Sequence, residues 1–206
     1  MKRIDKKIFL KQNFDHELPD QHSRDLIHLH TLVLEMEHLY VSIEMLKVVN
    51  SEWNYRVENS KDIGYSVTRN VLYESLIYRV IFGVTKIFDD RERGLNKYIN
   101  VVNTRYRYEN VLVILKNIEG YMQQNINILD EIKTYRNKLF GHLDRDMMFS
   151  AERLDTTLVF YYIEQFKLKE IFSETIKLYN TLFEDDFKFD FNGLKKEEIT
   201  RKFFGD

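Results

Sequence analysis

Leu32, Leu39, Leu46 and Trp53 recur at seven-residue intervals, with Leu29, Met36 and Ile43 standing three residues before Leu32, Leu39 and Leu46. Spacings of three and four place all of them on one side of an α-helix, so the periodicity predicts one long amphipathic helix from Arg24 to about Val57. Glu37, Glu44 and Ser51 fall on the opposite side. The sequence holds a single proline, Pro19, and seven glycines, so little in it interrupts helices. Pro19-Asp20 reads as the turn before the first helix, and the chain as a whole reads as all-α.

A second helix is expected from Ile63 to Phe88, with Val67, Val71, Leu72, Leu76, Val80 and Ile87 as its buried stripe. The charged run Asp89-Asp90-Arg91-Glu92-Arg93-Gly94 ends it. A short helix follows over about Leu95–Val102, then a helix or buried run over Tyr108–Ile118, with Gly120 breaking the pattern. The next helix starts near Gln123 and leads through Ile126, Leu129 and Ile132 into Arg136–His142, where Gly141 ends or bends it. Beyond Asp144–Asp146, Ser150 suits a helix cap and Glu152 the first turn. That stretch carries Leu154, Leu158, Tyr161, Tyr162 and Phe166, and continues or restarts through Ile171, Ile176 and Leu182. Phe187-Lys188-Phe189-Asp190-Phe191 alternates with period two, as in a short strand or an extended arm lying on a groove. The organisation is thus an N-terminal extension (1–22), one helical domain (23–184) and a C-terminal arm (185–206).

Several function classes are disfavoured. Without cysteine, disulfide and thiolate chemistry are excluded. The apolar stretch Ile8-Phe9-Leu10 is too short for a signal peptide, and no run approaches a membrane span, so a cytoplasmic protein is expected. A net charge of −2 is wrong for coating nucleic acid nonspecifically, so RNA contact must be local. Arg105 and Arg107, interleaved with Tyr106 and Tyr108, read as a polar connection whose tyrosines pack inward. No glycine-rich phosphate loop is present. His28 and His30 would point in nearly opposite directions on a helix, and His38 does not complete a ligand set. Asp89-Asp90 reads as a charged turn, and Tyr161-Tyr162 as core. Neither a metal nor a cofactor is expected.

The segment Arg136-Asn137-Lys138-Leu139-Phe140-Gly141-His142 combines a permanent cation with an imidazole that trades a proton near neutrality. Metal-free phosphodiester cleavage needs a base for the ribose 2′-hydroxyl, an acid for the leaving 5′-oxygen and positive charge on the developing phosphorane, and these residue types supply them. On a straight helix Arg136 and His142 lie about 9 Å apart along the axis and about 120° apart around it. One straight helix therefore does not aim both at one atom: either it bends at Gly141 or, the favoured arrangement, two motif helices meet across a twofold axis. Lys133, Lys138 and Arg145 supply further positive charge for an RNA strand.

Tyr135–Asp144, with an Arg, a polar residue directly after it and a His five residues beyond that, resembles the signature of the HEPN superfamily. The segment Tyr78–Asp89, with a long helix before it, is similar to the abortive-infection U-type branch. The resemblance implies an antiparallel helical bundle that dimerises through its motif helices and cleaves RNA without metal, as a toxin or in phage defence. Arg136 and His142 would be the catalytic pair, with Asn137 orienting them or the phosphate and Asp144 supporting. Some members carry a tyrosine two residues after the histidine, where a partner nucleotidyltransferase attaches AMP; Asp144 stands there in this chain, which argues against that modification. An antitoxin partner of another kind stays open. So do a noncatalytic module binding RNA, a nucleotide or a protein, and a scaffold that docks through Phe187–Phe191.

Overall fold

A computed structural model describes residues 21–59, 63–88, 94–141, 156–183 and 186–192; for residues 22, 52–59, 63–70, 138–141 and 156–157 the description is of the backbone alone. The described residues form seven helices and no strand, so the fold is all-α, with its helices bundled. In chain order they are α1 (Gln21–Asn59), α2 (Ile63–Phe88), α3 (Leu95–Arg105), α4 (Glu109–Gln124), α5 (Ile126–Gly141), α6 (Thr156–Gln165) and α7 (Leu168–Phe183). No helix among the described residues is long and apolar enough to cross a membrane.

The chain divides into two compact units. The first comprises Met1–Glu37, Lys86–Ile126 and Lys167–Phe189; the second comprises His38–Thr85, Asn127–Phe166 and Asp190–Asp206. In the first unit, α4 packs along α7. Val111, Leu115, Ile118 and Met122 form the buried stripe of α4, at the three- and four-residue spacing of one helix face. Phe172, Leu178, Tyr179 and Leu182 of α7 are buried as well. Each such side chain contributes about 1.5–3 kcal/mol by leaving water.

The leucine stripe of α1 is buried as its period demands: Leu29, Leu32 and Met36 lie in the first unit, and Leu39, Ile43 and Leu46 in the second. In the second unit α1 and α2 run antiparallel, with Leu39 against Gly83 and Ser42 against Arg79. The buried face of α2 is rotated from the expected stripe. Leu76, Val80 and Ile87 are buried, but Val71 is 60% exposed and shares a surface face with Tyr78 and Phe82, while Ile77, Ile81 and Val84 are buried instead.

Two breaks differ from expectation. Gly120 does not interrupt α4: it faces open space, and burial of Ile118 and Met122 on either side of it outweighs the roughly 1 kcal/mol that glycine costs a helix. The break falls at Asn125, which is 1% exposed. Its Nδ2 donates to the Tyr121 carbonyl at 2.6 Å and its Oδ1 accepts the Lys167 backbone N–H at 3.0 Å. The same side chain thus closes the end of α4 and holds the start of α7, so the segment after Phe166 restarts as a new helix. In α5, Ile132 is buried and Leu129 half-buried, whereas Ile126 is 44% exposed.

Residues 186–190 form neither helix nor strand. The alternation is that of an extended arm, with Phe187, Phe189 and Phe191 half-buried and Lys188 and Asp190 exposed. In the first unit Phe187 and Phe189 lie against Tyr179 and Phe172, and Asn180 Nδ2 donates to the Phe187 carbonyl at 2.9 Å. In the second unit the Phe191 ring meets Tyr40 edge-on, and the Tyr40 hydroxyl donates to the Phe191 carbonyl.

Candidate functional site

Arg136 sits in the last described turns of α5, one turn after fully buried Ile132 and beside exposed Asn137. It therefore stands at the border between core and solvent, and its side chain is half-buried rather than sealed in apolar packing. The Asn137 Oδ1 accepts from both Arg136 Nε, at 3.1 Å, and Nη2, at 2.8 Å. One amide oxygen thus grips two donors of the guanidinium and fixes the plane of its fork. Lys133, half-buried, lies three residues before Arg136 and four before Asn137, on the same face of α5. The Tyr135 ring contacts Tyr162 of α6, which also meets Tyr161 edge-on; Tyr162 is half-buried but Tyr161 is 54% exposed, so the pair is a surface border rather than core.

Among the residues anticipated for catalysis and RNA contact, Lys133, Arg136 and Asn137 are thus brought together on one helix face. Lys138 belongs to α5 by its backbone. His142, Asp144 and Arg145, together with the cap at Ser150 and the Asp89-Asp90 turn, lie outside the described residues. No family model, curated protein or solved structure matches this chain.

The other candidate groups have structural occupations. In the first unit the His28 ring packs edge-on to Tyr98, while His30 Nδ1 lies 3.3 Å from the Tyr179 hydroxyl, so the two imidazoles serve different tyrosines. Arg105 Nη1 reaches both carboxylate oxygens of Asp25, at 2.7 and 2.6 Å. Tyr106 packs inward with its hydroxyl toward the same carboxylate, whereas Tyr108 is 53% exposed. The anticipated tyrosine-inward connection therefore holds for Tyr106 and not for Tyr108. Among the described residues no group of three or more His, Asp and Glu side chains converges as a metal site.

Sequence reasoning did not find the Asp25–Arg105 pair, the Asn125 clamp or the Ser42–Arg79 contact. Asn125 carried a readable signal, since asparagine between two periodic segments favours a helix end. The two pairs did not, because nothing local links residues 80 or 37 positions apart.

Proposed function

We propose that the protein is a metal-independent endoribonuclease of the HEPN type, a toxin or phage-defence protein of the cytoplasm that works as a homodimer through its motif helices. The observation that carries the reading is the grip of Asn137 on the Arg136 guanidinium at the surface border of α5. Arginine carries a planar fork whose shape matches phosphate oxygens, and its charge persists at every biological pH.

In the proposed reaction the ribose 2′-oxygen attacks the adjacent phosphorus, the bond from phosphorus to the 5′-oxygen breaks, and a 2′,3′-cyclic phosphate and a free 5′-hydroxyl result. His142 exchanges the proton and Arg136 neutralises the phosphorane. Lys133, Lys138 and Arg145 contact the strand, and Asp144 supports the imidazole. DNA, lacking the 2′-hydroxyl, resists.

The test is cleavage of a structured RNA by the purified chain in EDTA, with products analysed for the cyclic phosphate. His142→Ala is expected to abolish cutting without changing thermal stability. Equal cutting by the variant sinks the enzyme reading; retention of RNA or a nucleotide without a cyclic product points to a noncatalytic binding module. The scaffold reading is the weaker alternative, because Phe187, Phe189 and Phe191 are half-buried against their own chain.

A further inference from the structure

Ser42 and Arg79 form a hydrogen-bonded pair between α1 and α2 in the second unit. Ser42 is 4% exposed, and its hydroxyl donates to the His38 carbonyl at 2.7 Å. With its one proton committed there, Oγ keeps a lone pair for the Arg79 Nε–H, which it accepts at 3.0 Å. The guanidinium is thereby held by its Nε edge.

Arg79 is exposed, and among the described residues this is its one hydrogen bond, with no ion pair. The contrast with other cations is informative: Arg105 faces Asp25, Lys86 faces Glu35, Lys47 faces Glu44 and Lys177 faces Glu174. A serine hydroxyl orients Arg79 without neutralising it. His38, also exposed, stands one turn before Ser42 on the same face of α1. Gly83, one turn beyond Arg79 on α2, carries no side chain, and Leu39 comes within 3.0 Å of where its Cβ would stand. The seam between the helices is thus close at the turn next to Ser42 and Arg79, which fixes their register.

We propose that Arg79, oriented by Ser42 and accompanied by His38, binds a backbone phosphate of the RNA strand at a nucleotide other than the one being cut. This rests on the ribonuclease reading, and Arg79 belongs to the same compact unit as Arg136. Arg79 is then a positioning residue: its fork holds two nonbridging oxygens and sets where the strand lies.

The experiment uses the full chain carrying His142→Ala, which keeps the RNA whole, and a fluorescein-labelled oligouridylate as probe. Arg79→Gln should weaken binding about tenfold. It should also reduce the slope of log K against log salt by about 0.7, the signature of one lost phosphate contact on a single strand. Arg79→Lys should recover only a small part of the affinity because the fork is gone, and Ser42→Ala, with an unchanged melting temperature, should weaken binding about threefold. In a separate arm, inorganic phosphate should move the Arg79 Nε–H resonance saturably. Unchanged affinity and slope in Arg79→Gln, full recovery with lysine, or an unmoved resonance overturns the site. If the natural chain never cuts RNA but binds it in an Arg79-dependent way, the site stands and the nuclease reading falls. Cutting with Arg79-independent binding does the reverse.

Discussion

Asn137 Oδ1 receives two N–H groups of its sequence neighbour Arg136, Nε at 3.1 Å and Nη2 at 2.8 Å. Adjacent residues on a helix point about 100° apart, so this contact requires the arginine to fold back across the helix surface. The amide orients the guanidinium without cancelling its charge. Asn137→Ala should therefore lower RNA cleavage in EDTA by about tenfold, the scale of one charge-assisted hydrogen bond. Asn137→Asp should lower it further, since a carboxylate at that distance competes with the phosphate for the same fork. Initial rates on a structured RNA check both, and an aspartate variant as active as the parent would refute the role assigned to the amide.

Asn125 makes a second prediction, this one about stability. Its amide satisfies the Tyr121 carbonyl and the Lys167 backbone N–H from a position 1% exposed. Replacing it by alanine removes the partner of both part-buried groups, at a cost of about 1–2 kcal/mol. Asn125→Asp should cost as much, because a carboxylate can take the Lys167 N–H but offers nothing to the Tyr121 carbonyl. Urea midpoints of the two variants against the parent measure this; a loss confined to alanine would show that the donor half of the amide is dispensable.

What could be read from the sequence, and what could not, follows from how far each interaction reaches. The leucine stripe of α1 and the bounds of α2 at Ile63 and Phe88 were legible because helix periodicity is local. The face of α2 that goes inward was misjudged at Val71 because several apolar registers compete on an apolar helix, and tertiary contacts choose between them. Gly120 was misread because propensity is a weak term beside burial. Arg105 was legible as part of a polar connection, but its partner Asp25, which stands 80 residues earlier, was not. At the candidate site, Arg136 and Asn137 were legible as neighbours in a motif, but their mutual hydrogen bonds depend on side-chain rotamers that residue types alone do not determine.

Gly83 allows a third prediction. A Cβ built there would stand 3.0 Å from Leu39 Cδ1, tighter than an ordinary contact. Alanine gains about 1 kcal/mol of helix propensity and loses a comparable amount by pressing on a buried leucine, so Gly83→Ala should be nearly neutral. Gly83→Leu cannot be accommodated and should cost about 1–3 kcal/mol. In a Leu39→Ala background the cost of Gly83→Leu should shrink, since the leucine would fill the space vacated across the seam. Thermal denaturation of the double-mutant cycle checks the coupling, and strict additivity would remove Leu39 as the cause.

Tyr98 carries the fourth. It is 1% exposed, and its hydroxyl has no hydrogen-bond partner among the described residues. Burial, followed by the proximity of Tyr106 and of the Asp25 carboxylate, raises its phenol well above the ordinary value of 10.0. A buried hydroxyl without a partner is a liability, so Tyr98→Phe should leave stability at pH 7 unchanged or raise it by about 1 kcal/mol. At alkaline pH the sign is fixed by the raised phenol. Well below the ordinary value of 10.0 the side chain is protonated in both states and contributes no pH dependence. Above it the unfolded chain releases the proton while the native chain holds it, which draws the equilibrium toward unfolding by about 1.4 kcal/mol per pH unit until the native phenol also ionises. Phenylalanine has no such proton to lose. The urea midpoint of Tyr98→Phe should accordingly fall less steeply than that of the parent between pH 10 and 11, while both remain parallel between pH 7 and 9; parallel losses across the whole range would mean that the phenol ionises equally in the native and unfolded chains.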